Sequence, residues 1–135
     1  RCTSRGLGDV YKRQADISQK LLDLAPQGLY KSLERIDLNK KLIYEDDKFD
    51  SVFCVGTFTF GHVKPDALDE FIRITKKNGL ICFTINVGVF KDYGFDKKIN
   101  DLIDNNKWEK LEFFKSNYLS SKNVNAWLGI YKVTK

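Results

Sequence analysis

The sequence is poor in the residues that build metal sites and disulfide frameworks, with one histidine and three cysteines among 135 residues. The cysteines, Cys2, Cys54 and Cys82, are odd in number and widely spaced, and the last two lie within apolar runs. This spacing fits neither a zinc motif nor a set of paired disulfides, so we expect buried thiols and no metal site.

Long hydrophobic runs are absent too. No segment approaches the roughly 18 apolar residues that a membrane span requires, and the N-terminus has no apolar core of the kind found in signal peptides. The hydrophobic content of 42% is nevertheless enough for one core. We therefore expect a soluble, cytoplasmic protein with a single domain and no membrane partner.

Arginine is scarce outside the N-terminal segment. Residues 1–14 carry three arginines, one lysine and one acidic residue, whereas residues 15–135 carry two arginines and seventeen lysines. Of the 23 basic and 18 acidic residues of the chain, 19 and 17 follow residue 14, a surplus of only +2. Because this part is nearly balanced and has no arginine cluster, we expect no nucleic-acid partner.

The change in composition at residue 15 indicates two different coding sources. The string RCTSRGLGDVYKRQ resembles translated sequencing-adapter read-through, and it has neither helical nor strand periodicity. Its Gly6-Leu7-Gly8-Asp9 does not fit a dinucleotide-binding loop, because no apolar strand precedes it and no helix start follows it. We therefore set residues 1–14 apart as a non-native leader, outside the fold, and take residues 15–135 as the domain.

From residue 15 onwards, apolar strands alternate with amphipathic helices. Residues 49–56 and 80–85 are near-continuous apolar runs, typical of strands buried on both faces of a parallel sheet. Helical spacing of apolar residues follows Ser18, Pro65 and Phe95, and the chain ends in two strands that form an antiparallel pair. The pattern predicts an α/β fold, a three-layer α/β/α sandwich around a mostly parallel sheet with an antiparallel terminal strand pair.

Two acidic residues, Asp16 and Asp37, each end a predicted strand. In a doubly wound sheet, ligands bind beyond the carboxyl ends of the strands, where a carboxylate can accept hydrogen bonds from ribose hydroxyls or from an exocyclic amine. The alternative is that each acid only caps a helix or a turn. Two such acids in corresponding places favour a ligand site.

The order of these motifs resembles the class I S-adenosylmethionine-dependent methyltransferases. The resemblance covers residues 15–135 and rests on Asp16-Ile17-Ser18, Asp37-Leu38, Phe49-Asp50-Ser51-Val52 and the segment 68–79. Gly28-Leu29-Tyr30 is similar to the Gly-Leu-Tyr of the Williams-Beuren-type subgroup. The resemblance implies a Rossmann-like sandwich, S-adenosylmethionine as cofactor and methyl transfer to a small-molecule acceptor.

The resemblance also implies roles for individual residues. Asp16 would hold the cofactor ribose and Ile17 would pack on the adenine, while Asp37 would face the adenine amine and Leu38 would offer its backbone N–H to the ring. Val55 and Gly56 would lie beside the methionine part. No catalytic side chain is implied, because methyl transfer mainly needs positioning and desolvation. The candidates for facing the substrate are Thr57, Phe60, His62 and Asn86; for His62, a general base and a solvated loop histidine both remain open.

One part of the family pattern has no counterpart in the sequence: the first strand and its Gly-x-Gly loop, which approaches the cofactor closely. We therefore expect a sheet that lacks its first strand, and a chain that is inactive by itself. Two other functions remain open, a nicotinamide-dependent dehydrogenase and a non-catalytic interaction module. The second acid, Asp37, and the terminal strand pair disfavour the dehydrogenase.

Overall fold

A seven-stranded mixed sheet forms the centre of the protein. The computed structural model describes residues 2–5, 12–26, 28, 30–119 and 124–135. The sheet order is β3-β2-β1-β4-β5-β7-β6. Its strands are β1 (Cys2–Arg5), β2 (Arg13–Asp16), β3 (Ser32–Arg35), β4 (Phe49–Phe58), β5 (Thr75–Asn86), β6 (Trp108–Leu119) and β7 (Val124–Val133).

Within the described part of the chain, four helices connect these strands, and the strand directions confirm the predicted fold class. The helices are α1 (Gln19–Asp23), α2 (Ala67–Ile74), α3 (Val87–Asp92) and α4 (Phe95–Asp104). β2 and β3 are parallel, as are β4 and β5, whereas β7 is antiparallel to both β5 and β6. Five strands therefore point one way, and only β1 and β7 point the other way. This is an α/β sheet of the Rossmann-like kind with an antiparallel terminal pair.

The strand β1 departs from the sequence prediction. β1 (Cys2–Arg5) lies between β2 and β4 and is antiparallel to both, with Cys2 opposite Ala15 on one side and Cys54 on the other. Exclusion of residues 1–14 from the fold is thus wrong for this strand, and the sheet does not lack a strand at this position. The physical reason is that the N–H and C=O groups on the facing edges of β2 and β4 need partners, and any extended backbone supplies them.

An aromatic cluster fills the core between the sheet and its helices. Trp108 and Tyr131 are nearly parallel, with ring centroids 4.2 Å apart, and Phe83 stacks on both. Phe58 reaches Phe83 edge-on at 6.1 Å. All four side chains are at most 1% exposed. Burial of such large rings dominates the stability of a domain of this size.

Some local predictions need correction. The apolar spacing that follows Pro65 predicts a helix that Asn78-Gly79 would end. In the structure α2 already ends at Ile74, because Thr75 is extended and its Oγ1 donates a hydrogen bond to the carbonyl oxygen of Phe71 at 2.6 Å. The sequence predicts a loop over residues 86–94, after the apolar run 80–85, but α3 (Val87–Asp92) occupies most of it. Cys82 is a free thiol whose pKa is raised by burial, but Cys54 is disulfide-bonded, contrary to the expected thiol.

The described residues contain neither a membrane-spanning helix nor a metal-binding cluster. No helix there has the length and apolar character needed to cross a membrane. Likewise, no group of three or more histidine, cysteine, aspartate or glutamate residues in that part of the chain is arranged to hold a metal ion.

Candidate functional site

A cleft of about 440 Å³ opens at the carboxyl ends of β2, β3 and β4. Parallel strands end at the same edge of a sheet, so residues that are far apart in the sequence meet there. The cleft is lined by Ala15, Asp16, Ile17, Ser18, Leu21, Ile36, Asp37, Leu38, Asn39, Gly56, Thr57, Gly61, His62 and Val63.

Asp16 is the last residue of β2, whereas Asp37 lies two residues beyond the end of β3, which is shorter than predicted. Oδ1 of Asp16 accepts a hydrogen bond from the backbone N–H of Ser18 at 2.9 Å, and Oδ1 of Asp37 accepts one from the N–H of Asn39 at 3.0 Å. Both acids thus form the turn that the alternative interpretation predicted. The turn uses one oxygen of each carboxylate and fixes its orientation. The second oxygen of Asp37 lies 3.9 Å from Nζ of the exposed Lys40, too far for a hydrogen bond, so it can still accept from a ligand.

Backbone contacts hold the two strand ends together. The N–H of Ile36 donates to the carbonyl oxygen of Asp16 at 2.9 Å, which continues the β2–β3 ladder by one residue. Nε of Arg35 donates to the carbonyl oxygen of Ile17 at 3.0 Å. The separation of the two acidic side chains is therefore set by direct bonds between their own segments.

Apolar side chains line the cleft next to the two acids. Ile17 is 59% exposed, and Leu21 also lies open on the first turn of α1. Ser18 begins that helix by accepting a hydrogen bond from the N–H of Leu21. Leu38, beside Asp37, is partly buried against the core. Exposed aliphatic groups beside carboxylates suit a flat heteroaromatic ring attached to a sugar.

Gly56 and Thr57 form the base of the cleft at the end of β4. Gly56 has φ of 76°, a conformation that favours glycine, within the irregular β4–β5 pairing that follows Cys54. Its N–H donates to Oγ1 of Thr84 at 2.9 Å. A side chain on β5 therefore replaces the backbone partner that the irregular ladder does not supply.

A second and larger cavity, of about 710 Å³, adjoins the cleft. Gly61 and His62 line both spaces. The remaining residues around the second cavity are mostly charged. Among these, Lys98 forms ion pairs with Asp66 and Asp69; burial opposes its charge, but the two carboxylates outweigh this and raise the pKa of Lys98.

The structure brings most of the sequence-predicted residues together. Five of the six cofactor candidates line the cleft, namely Asp16, Ile17, Asp37, Leu38 and Gly56, and so do the substrate candidates Thr57 and His62.

Val55, Phe60 and Asn86 do not line the cleft. Val55 is exposed on β4, and Phe60 is exposed and makes an edge contact with Tyr93. Asn86 caps α3, with its Oδ1 accepting from the N–H of Gly88 at 2.8 Å.

Asn39 is the main site residue that the sequence prediction missed. It stands two positions after Asp37, just as Ser18 stands two positions after Asp16. This repeated pattern of an acid, an aliphatic residue and a polar residue could have identified it. The side chain of Asn39 also bonds to the backbone of residues 62 and 64 across the cleft. These residues are more than 20 positions away, so no local pattern predicts the contacts.

Comparison with family models gives one match. The model described as a methyltransferase domain matches residues 6–83, which is more than half of the chain. The match begins within residues 1–14, although Gly6-Leu7-Gly8-Asp9 lies outside the described residues. A comparison with curated proteins finds no match.

Solved structures share the fold at low sequence identity. The N-methyltransferase NodS from Bradyrhizobium japonicum WM9, in complex with S-adenosyl-L-homocysteine, has a TM-score of 0.66 at 13% identity, covering 91% of this chain and 66% of that one. A SAM-dependent methyltransferase from Methanosarcina mazei has a TM-score of 0.61 at 14% identity, covering 90% and 81%. The cyclase SpnF has a TM-score of 0.64 at 11% identity, covering 90% and 66%. At such identities these matches establish the fold alone.

Proposed function

Because the chain belongs to the methyltransferase domain family, we propose that its cleft binds the adenosyl part of S-adenosylmethionine and serves methyl transfer to a small-molecule acceptor. The observation that carries the proposal is that Asp16, Ile17, Asp37, Leu38 and Gly56 line one cleft at the carboxyl ends of three strands. S-adenosylmethionine is the cofactor of the family. Within it, Gly28-Leu29-Tyr30 favours the Williams-Beuren-type subgroup, although Leu29 lies outside the described residues.

The cleft residues fit the chemistry of the adenosyl group. The oriented carboxylate of Asp16 would accept from the two ribose hydroxyls, and that of Asp37 would accept from the adenine amine. Ile17 would cover one face of the ring, and the backbone N–H of Leu38 would donate to its edge. When bound, the cofactor supplies a methyl group on a sulfonium that is already activated for displacement.

The second cavity is the best candidate for the acceptor site. It shares Gly61 and His62 with the cleft, so an acceptor there would approach the cofactor across this boundary. His62 would contact an acceptor from this boundary, and Thr57, which lines the cleft, would contact it from the cofactor side. The protein's contribution would be to align the two molecules and to exclude water between them.

We propose that the 135-residue chain binds the cofactor weakly and transfers no methyl group by itself. In the family, the glycine-rich loop follows a parallel first strand at the cleft edge. Here β1 is antiparallel to β4. Its last residue, Arg5, pairs with Ser51 near the beginning of β4, at the edge of the sheet opposite the cleft. The carboxyl end of β1 therefore lies opposite the cleft, and β1 would not present to the methionine end of the cofactor the backbone N–H groups that follow the first strand in the family.

Titration with two ligands tests the cofactor assignment. S-adenosylhomocysteine and NAD share an adenosine, and a dehydrogenase should prefer NAD. We expect saturable changes in the ¹⁵N amide spectrum at residues 16–18 and 37–39 with S-adenosylhomocysteine at millimolar concentration, and weaker changes with NAD. Tighter binding of NAD would favour the dehydrogenase, and no response to either ligand would favour an interaction module. Submicromolar affinity for S-adenosylhomocysteine would contradict the proposed weak binding.

A further inference from the structure

Residues 61–64, which we call the wall, separate the cofactor cleft from the second cavity. Gly61 and His62 line both spaces, while Val63 faces the cleft and Lys64 faces the cavity. The width of the cleft therefore depends on where this short segment is held relative to Asp37.

Asn39 bonds to the wall through both ends of its side-chain amide. Its Nδ2 donates to the carbonyl oxygen of His62 at 3.2 Å, and its Oδ1 accepts from the backbone N–H of Lys64 at 2.8 Å. The backbone N–H of the same residue donates to Oδ1 of Asp37. One residue thus joins the acid on one side of the cleft to the backbone on the other side.

A second contact holds the wall from the opposite direction. The N–H of Gly61 donates to the hydroxyl oxygen of Tyr93 at 3.0 Å, and Tyr93 also packs edge-on against Phe60. Tyr93 lies between α3 and α4, so this contact fixes the cavity side of the wall. The Asn39 contacts fix the cleft side.

We propose that Asn39 is a positioning residue of the cofactor site, whose side-chain amide sets the width of the cleft by holding the wall opposite Asp37. The role rests on the proposed function, because it concerns binding of the adenosyl group. Asn39 is exposed, so replacing it leaves no buried polar atom and should affect global folding little. Its contribution is to the geometry of the site.

The first test uses the ligand-free protein and the Asn39→Ala variant. His62 is the only histidine, so its imidazole gives a single reporter signal in the wall. We expect that signal to shift and amide hydrogen exchange at Lys64 to become about tenfold faster, with an unchanged melting temperature. Asn105→Ala is the control, because its exposed amide bonds to the carbonyl oxygen of Asp101 on α4, away from the cleft. Wild-type exchange in Asn39→Ala would overturn the proposal.

The second test measures S-adenosylhomocysteine binding by the same variants. Loss of two neutral hydrogen bonds should weaken the affinity about threefold to tenfold in Asn39→Ala and leave it unchanged in Asn105→Ala. Unchanged affinity in Asn39→Ala, together with weaker binding by Asp37→Ala, would overturn the role of Asn39 and leave the proposed function intact. Unchanged affinity in Asp37→Ala would instead contradict the adenosyl site itself, and the role of Asn39 with it.

Discussion

The backbone N–H of Gly56 donates a hydrogen bond to the side-chain hydroxyl of Thr84, a residue on the neighbouring strand that is only 6% exposed. The contact lies where the β4–β5 ladder is irregular, and it fixes a glycine with positive φ at the base of the cleft. A core threonine therefore supports the shape of the proposed cofactor site without lining it.

Replacing Thr84 by valine should destabilise the protein and loosen the cleft. Valine has the same shape but no acceptor, so the N–H of Gly56, an exposed residue, loses one hydrogen bond, at a cost of about 0.5–1.5 kcal/mol in free energy of unfolding. Urea unfolding would measure this change. Thr134→Val is the control, because its hydroxyl bonds to Asn106 at the exposed end of the chain. Equal stabilities of the two variants would show that the hydrogen bond from Gly56 to Thr84 does not contribute measurably to the free energy of unfolding.

The acids at the ends of β2 and β3 should carry affinity for the adenosyl group. A hydrogen bond to a charged acceptor contributes about 1.5–3 kcal/mol, so Asp16→Ala and Asp37→Ala should each weaken S-adenosylhomocysteine binding roughly tenfold or more. Ligand titrations followed by NMR can measure such affinities in the millimolar range. Asp104→Ala, at the exposed end of α4, should bind as the wild type does. If both cleft variants also did so, the ribose and adenine assignments would be wrong.

Gln14 on β2 is a weak point of the fold. Its side chain is fully buried, and neither Nε2 nor Oε1 has a hydrogen-bond partner in the part of the chain that the structure describes. Substitution by leucine, which has a similar size, should raise the free energy of unfolding by about 1–3 kcal/mol. Thermal melting would detect the change, and Gln19→Leu on exposed α1 should have little effect. A lower stability for Gln14→Leu would indicate that the amide has a partner after all.

The ion pair between Glu70 and Arg73 should make stability depend on pH. Glu70 accepts hydrogen bonds from Nε and Nη2 of Arg73 and from the N–H of Leu42, and the guanidinium is the main cause of its lowered pKa. The folded state therefore favours the ionised form. Its stabilisation is complete above the unfolded pKa of Glu70 and is lost as the pH falls through the folded pKa.

Glu70→Gln should accordingly be less stable than the wild type at pH 7 by about 1–3 kcal/mol, and the difference should shrink between pH 5 and pH 3. Urea unfolding across that range would measure it. Glu45→Gln, on an exposed loop residue, should follow the wild-type curve. A Glu70→Gln curve parallel to the wild type would contradict the assignment.

Nucleic acid should not be a specific partner of residues 15–135. The surplus charge of this segment is only +2, so few phosphates can be neutralised. Fluorescence anisotropy with labelled RNA and DNA should show only weak binding that disappears as salt is raised. A submicromolar affinity at physiological salt would disprove the expectation.

The sequence by itself determined the strands and helices that local apolar periodicity reveals. It also determined most of the residues that line the cleft. β4, α4 and the β6–β7 pair follow from apolar periodicity, because burial of one face dictates which positions are apolar. Asp16 and Asp37 could be placed near each other without a structure, because the carboxyl ends of parallel strands lie at one edge of the sheet.

Only the tertiary structure decided which strand pairs with the facing edges of β2 and β4, and which side chain holds the wall, residues 61–64, opposite Asp37. Cys2–Arg5 fills the position between β2 and β4 through backbone hydrogen bonds, which depend little on side chains and leave no periodic pattern in the sequence. The bonds from Asn39 to residues 62 and 64 and from Gly56 to Thr84 likewise join segments more than 20 residues apart. Such contacts arise only when the sheet has assembled, because loop closure has to bring the partners together first.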